Sequence, residues 1–282
     1  MLADYHVHTA FSDDSDYPME DVVRDALALG LGELCFTEHV DYGIKQDPDR
    51  IEAPIRYLFG DPSKPLLNAD CPAFLAEVAR LRGLYGDRIV LRQGMEFGVQ
   101  PETADRFRAL FAQYDFDFVL LSIHQLGNRE FWSQEFQQGR TQKEYNDAYY
   151  RGMLDVVTQY KDYSALAHMD MIRRYDAQGY YPFENNRDVI AEILRRLIAD
   201  GKALEVNTSC FRYGIGDLTP ASGILSLYRD LGGELLTIGS DSHKPGDLGA
   251  RIGEVQARLR SMGFRAFYTY ERMQPTAHAL CG

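Results

Sequence analysis

Seven times along its 282 residues this chain alternates a short apolar run with a longer segment of helical periodicity. Each crossover helix returns the chain in the same direction, so alternation of this kind means parallel strands covered by helices. The strands read as residues 2–9, 34–37, 88–96, 116–123, 163–167, 203–207 and 234–240. Helices read as 18–29, 72–85, 101–114, 141–161, 183–200, 220–231 and 247–262, before a short apolar stretch at 264–268. Local signals agree: Pro18 and Pro101 stand where a missing N–H is free, and Thr141 with Glu144 fits a capping box. Gly30 and Gly201 end their helices. No composition break or internal repeat divides the chain. One domain over 1–282 is expected, an α/β fold of seven β/α units in a distorted TIM-like barrel, with a doubly wound open sheet as the alternative. Residues 41–69 interrupt the pattern with Pro, Asp and Gly around one apolar knot at 55–59. A connection that long in a compact domain is read as a lid.

The histidines fall in a pattern that the fold explains. His6 and His8 share one face of the first strand, with Cα atoms roughly 6.6 Å apart, close enough to meet at one divalent ion. His39, His124, His168 and His243 each stand at or just past the end of another predicted strand, as do Glu96 and Asp241, and only His278 lies elsewhere. Any one such histidine is explained as an ordinary packed or solvated residue. Six of them with two carboxylates on one barrel rim form a constellation, because that rim gathers side chains from distant parts of the chain. Imidazole and carboxylate are ligands for Zn, Fe and Mn, and so many in one cavity need cations to offset their desolvation. They exceed what one tetrahedral ion can use, which favours two or three.

The net charge of −12 leaves no basic stripe for phosphate backbones, so nucleic acid is not expected as a partner. No apolar run approaches a membrane span, and no membrane partner is expected. Cys35, Cys71, Cys210 and Cys281 form no paired motif, which suits a reducing cytoplasm.

The ordered motifs His6-Val7-His8, Thr37-Glu38-His39, Gly94-Met95-Glu96, Ser122-Ile123-His124, Ala167-His168 and Gly239-Ser240-Asp241-Ser242-His243 resemble the polymerase and histidinol phosphatase (PHP) superfamily. More narrowly they resemble its stand-alone histidinol-phosphatase branch, over residues 1 to about 275. The resemblance implies a distorted seven-unit barrel with three divalent metal ions (zinc, iron or manganese). One ion would take His6, His8, Glu96 and Asp241; a second Glu96, His124 and His168; a third His39, His243 and Asp14, which has Asp13 beside it. Glu38, where the family more often has Asp, would orient an imidazole.

The activity implied is hydrolysis of L-histidinol phosphate in histidine biosynthesis by a monomer or homodimer. A hydroxide bridging the ions would attack phosphorus, with Glu96, Asp241 and His243 as catalytic groups. Arg212 and Arg174 are the expected phosphate-binding residues, Arg212 first, since guanidinium matches phosphate oxygens bidentately. An acidic or aromatic wall for the amine and imidazole would come from residues 41–69 and from around Phe131 and Trp132. The alternatives are a phosphoesterase acting on another small monoester or nucleotide, and a metal-binding module without activity. A metal-dependent amidohydrolase typically bridges its ions with lysine, whereas this chain has Glu96 there.

Overall fold

The computed structural model describes residues 1–281. In chain order its regular elements begin with β1 (Ala3–Val7), α1 (Met19–Ala28), β2 (Glu33–Val40) and α2 (Cys71–Tyr85). β3 (Val90–Gly98), α3 (Ala104–Phe111), β4 (Phe118–Ser122), β5 (Gln125–Leu126) and β6 (Arg129–Glu130) follow. Next come α4 (Gln142–Gln159), β7 (Ala165–Leu166), α5 (Arg187–Ala199), β8 (Ala203–Asn207) and α6 (Ser222–Asp230). β9 (Leu236–Gly239), α7 (Ile252–Ser261), β10 (Ala266–Glu271) and β11 (Gln274–Ala279) end the chain.

Seven strands pair in parallel in the order β1-β2-β3-β4-β7-β8-β9. The ends approach through a parallel bridge of Val7 to Ser242, with His8 N–H donating to Ser242 O at 2.8 Å. The sheet is therefore a nearly closed barrel, and the open-sheet alternative is set aside. Every residue of β1 and β2 is buried, as expected of strands covered on both faces. The helices bury one stripe each: Met19, Val22, Val23 and Ala26 on α1, and Ile190, Ala191, Ile193, Leu194 and Leu197 on α5. The Thr141–Glu144 capping box forms at the start of α4.

Several boundaries depart from the sequence reading for local reasons. The fifth barrel strand shrinks to Ala165–Leu166, because the N–H of His168 leaves the ladder to donate to Glu205 Oε2 at 2.7 Å. The last helix starts at Ile252 rather than near 247, since Pro245–Asp247 is a separate 3-10 turn. The apolar stretch at 264–268 is part of the antiparallel hairpin β10–β11, turned at Arg272 and Met273 with positive φ. That hairpin closes the end of the barrel opposite the histidines. The N–H of Tyr270 donates to Tyr5 Oη at 2.7 Å, and the Tyr270 ring lies 5.1 Å from that of Phe118. A second hairpin, β5–β6, turns at Gly127 and Asn128 and carries Glu130 and Trp132 toward the opposite rim.

Candidate metal centre and active site

The strand ends deliver their side chains to one point, Glu96, which is almost fully buried. Its Oε2 lies 3.1 Å from His6 Nε2, 3.3 Å from His8 Nε2 and 3.1 Å from His39 Nδ1. Its Oε1 lies 3.1 Å from His124 Nε2 and 2.9 Å from His168 Nε2, and accepts from Ser122 Oγ at 2.5 Å. Burial pushes the Glu96 carboxyl up, but the surrounding imidazoles hold it well below the usual carboxylate range. Burial, with the neighbouring His243 and His39, holds His8 well below its ordinary value, and burial lowers His168 as well.

Asp241 and Asp14 complete the rim. Asp241 Oδ1 is 3.7 Å from His6 Nε2, from His8 Nε2 and from His243 Nδ1, while its Oδ2 is 3.0 Å from Arg174 Nη1. Asp241 adopts a left-handed backbone at φ 56, which turns the chain sharply after β9. Asp14 Oδ2 lies 3.3 Å from His243 Nε2 and 3.5 Å from His39 Nε2. Asp13 turns the other way, onto Lys45 Nζ at 2.7 Å. Its neighbour, not Asp13, faces the histidines.

The residues present fit divalent cations on one plain observation. His6 Nε2, His8 Nε2, His39 Nδ1 and Glu96 Oε2 are buried and lack hydrogen-bond partners despite these short separations. Buried polar atoms left without partners are costly, and a cation among them satisfies ring nitrogen and carboxylate oxygen together. Ligand-compatible groupings occur at His6, His8 and Asp241, at His39, Glu96 and His124, at His8, His39 and His243, and at His6, His168 and Glu205.

The other expected residues surround this centre. Glu38 reaches an imidazole through Ser12: it accepts from Thr9 and, at 2.6 Å, from Ser12 Oγ, which lies 3.3 Å from His8 Nδ1. Burial raises its carboxyl to about 7. Arg174 lines the cavity, with Nη2 donating to Ser209 Oγ at 2.5 Å. Arg212 sits behind it, donating to the carbonyls of Ser240 at 2.7 Å and Asp241 at 2.6 Å. Tyr213 lies against both guanidiniums, 4.8 Å from Arg174 and 5.2 Å from Arg212. Ile44, Lys45, Leu58 and Leu66 of the 41–69 segment wall the cavity, together with Glu130, Trp132 and Tyr175.

Three participants escape the sequence reading: Asp41, Lys45 and Glu205. Asp41 Oδ1 meets His124 Nδ1 at 2.7 Å, and Glu205 Oε1 meets His6 Nδ1 at 2.5 Å. The signal for Glu205 was a lone charge inside an otherwise apolar buried strand, Ala203-Leu204-Glu205-Val206. Asp41 follows two residues after His39, one past the end of β2.

Comparison with known proteins agrees with this geometry. The chain is 30% identical to histidinol-phosphatase of Lactococcus lactis subsp. lactis over 96% of this chain and 95% of that protein. It is 25% identical to a probable histidinol-phosphatase of Deinococcus radiodurans, over 97% of this chain and 99% of that protein. Among solved structures, the Lactococcus lactis histidinol phosphate phosphatase complexed with zinc, L-histidinol and phosphate superposes with a TM-score of 0.82 at 29% identity, covering 98% of each chain. A putative histidinol phosphatase from Listeria monocytogenes shares the fold, with a TM-score of 0.71 at 18% identity over 88% of this chain and 97% of that one. The PHP domain model matches residues 4–209, the stretch that contributes all but the last two of the gathered side chains, and the chain belongs to the PHP domain family.

Proposed function

We propose that this chain is a metal-dependent phosphomonoesterase that hydrolyses L-histidinol phosphate to L-histidinol and inorganic phosphate. The carrying observation is the ring of imidazoles on Glu96, with buried nitrogens that no hydrogen bond satisfies. Full-length likeness to histidinol-phosphatases supports the choice of substrate. The proposed ligand sets for three divalent ions are His6, His8, Glu96 and Asp241; Glu96, His124 and His168; and Asp14, His39 and His243. Such ions, when bound, polarise a phosphoryl oxygen and bring a water's pKa near 7.

The chain's own groups do the rest. Arg174, with Arg212 behind it, takes phosphate oxygens and orients the ester. Water oxygen bonds to phosphorus as the bond to the ester oxygen breaks. Asp241, with His243 beside it, takes the water's proton and returns it to the leaving oxygen, so one water is consumed. Glu130 and Trp132 supply the acidic and aromatic wall for the amine and imidazole, and the 41–69 segment excludes bulk water. No helix among the described residues is long and apolar enough to cross a membrane, and four free cysteines suit a reducing cytoplasm.

Phosphate release from a panel of monoesters tests the reading. Histidinol phosphate should exceed nucleoside and sugar phosphates by roughly 100-fold in kcat/KM, because buried polar groups discriminate strongly. Equal rates across the panel would leave a general phosphoesterase. No release by metal-loaded protein would leave a binding module.

A further inference from the structure

Two of the imidazoles on Glu96 share a construction. His6 and His124 approach opposite oxygens of Glu96 through Nε2, at 3.1 Å each, while Nδ1 of each meets a buried carboxylate. For His6 that carboxylate is Glu205, Oε1 at 2.5 Å; for His124 it is Asp41, Oδ1 at 2.7 Å. Neither carboxylate is free to turn. The second oxygen of Glu205 accepts from His168 N–H at 2.7 Å and Asn207 Nδ2 at 3.2 Å, and that of Asp41 lies 3.2 Å from Lys45 Nζ. Each also occupies a slot opened by a glycine on an adjoining strand. A Cβ at Gly98 would collide with Asp41 Oδ1; one at Gly239 would collide with the His6 Cβ and would itself lie 2.9 Å from Glu205 Oε1.

We propose that Asp41 and Glu205 are positioning residues: by accepting Nδ1–H of His124 and His6 they fix each ring in the tautomer and orientation that leaves Nε2 bare toward Glu96. Glu205 acts twice, since its other oxygen anchors the backbone of His168 and so places a third ring. Gly98 and Gly239 belong to the same device, because a Cβ at Gly98 would press on the Asp41 carboxylate and one at Gly239 on His6 and Glu205. Both carboxylates act through histidines, and neither is assigned as a metal ligand. This inference rests on the metal reading given above.

The test is a zinc competition on the holoprotein against a chelator of graded concentration, comparing wild type with Asp41→Asn, Glu205→Gln and Gly98→Ala. Each variant should lose zinc at 10- to 100-fold lower chelator strength, the usual effect of removing a partner behind a ligating histidine. A merely structural carboxylate would lower the melting temperature without moving that midpoint. Unchanged midpoints in folded variants overturn the inference, and so does loss of one whole equivalent from Glu205→Gln at full strength of the rest, which would make Glu205 a ligand. Should the variants not fold, long-range 1H–15N spectra of histidine-labelled wild type decide: Nδ1–H on both His6 and His124 supports it, Nε2–H on either overturns it. Wild type that binds no zinc would instead overturn the metal reading itself.

Discussion

Single residues decide most of the chemistry, and Asp13 against Asp14 shows how finely. The two are adjacent, yet Asp14 Oδ2 faces His39 and His243 while Asp13 is spent on Lys45 and the N–H of Leu67. Asp14→Asn should therefore cost about 100-fold in kcat/KM, and Asp13→Asn less than about 10-fold, since it faces Lys45 and a loop N–H rather than the histidines. Equal losses would break that assignment. Arg174→Ala should raise KM for the phosphate ester by about 10-fold or more with kcat less affected, which steady-state kinetics resolves directly. Glu130 offers a pH handle away from the ligands. Burial raises its carboxyl from 4.5 to about 7, opposed by Arg56 at 3.6 Å and reinforced by Glu135 and Asp41. Between pH 4.5 and 7 the folded protein then holds a proton that the unfolded chain releases, so this group's contribution to stability falls as pH rises through that window. Glu130→Gln should stabilise relative to wild type at pH 8 and not at pH 4 in urea melts. The histidines themselves were legible from sequence because each follows an apolar run. Asp41 and Lys45 were not, because their roles depend on which loop atoms fold back onto them.

At the scale of elements, what was legible was whatever repeats. Strand–helix alternation and apolar stripes marked the seven barrel strands, and the capping box at Thr141 marked α4. β10–β11 escaped because β11, Gln-Pro-Thr-Ala-His-Ala, is mostly exposed and carries no apolar alternation. The fifth barrel strand was read too long because a hydrogen bond to Glu205, distant in sequence, ends its ladder. The hairpin nevertheless bears on stability through Tyr5, whose hydroxyl donates to Glu33 Oε1 at 2.5 Å and receives Tyr270 N–H. Tyr5→Phe leaves that buried N–H without its acceptor and should destabilise by about 1–3 kcal/mol in urea unfolding, without altering metal content. A change under about 0.5 kcal/mol would mean that the hairpin is not anchored there.

Across the whole molecule, stability and function converge on one cavity. The barrel brings together side chains from Asp4's strand to the turn after β9, and its dense carboxylates outweigh Lys45, Arg174 and Arg212 nearby. Cations held there would bind only the folded chain, so at a thousandfold excess over Kd they should add about 4 kcal/mol to unfolding. The most direct measurement is elemental analysis of purified wild type beside Glu96→Gln, each after dialysis. Two or three equivalents of divalent metal in wild type, largely lost in Glu96→Gln together with phosphatase activity, is the expected result. Less than one equivalent in active wild type, or equal metal in both proteins, would contradict a cluster built around that carboxylate.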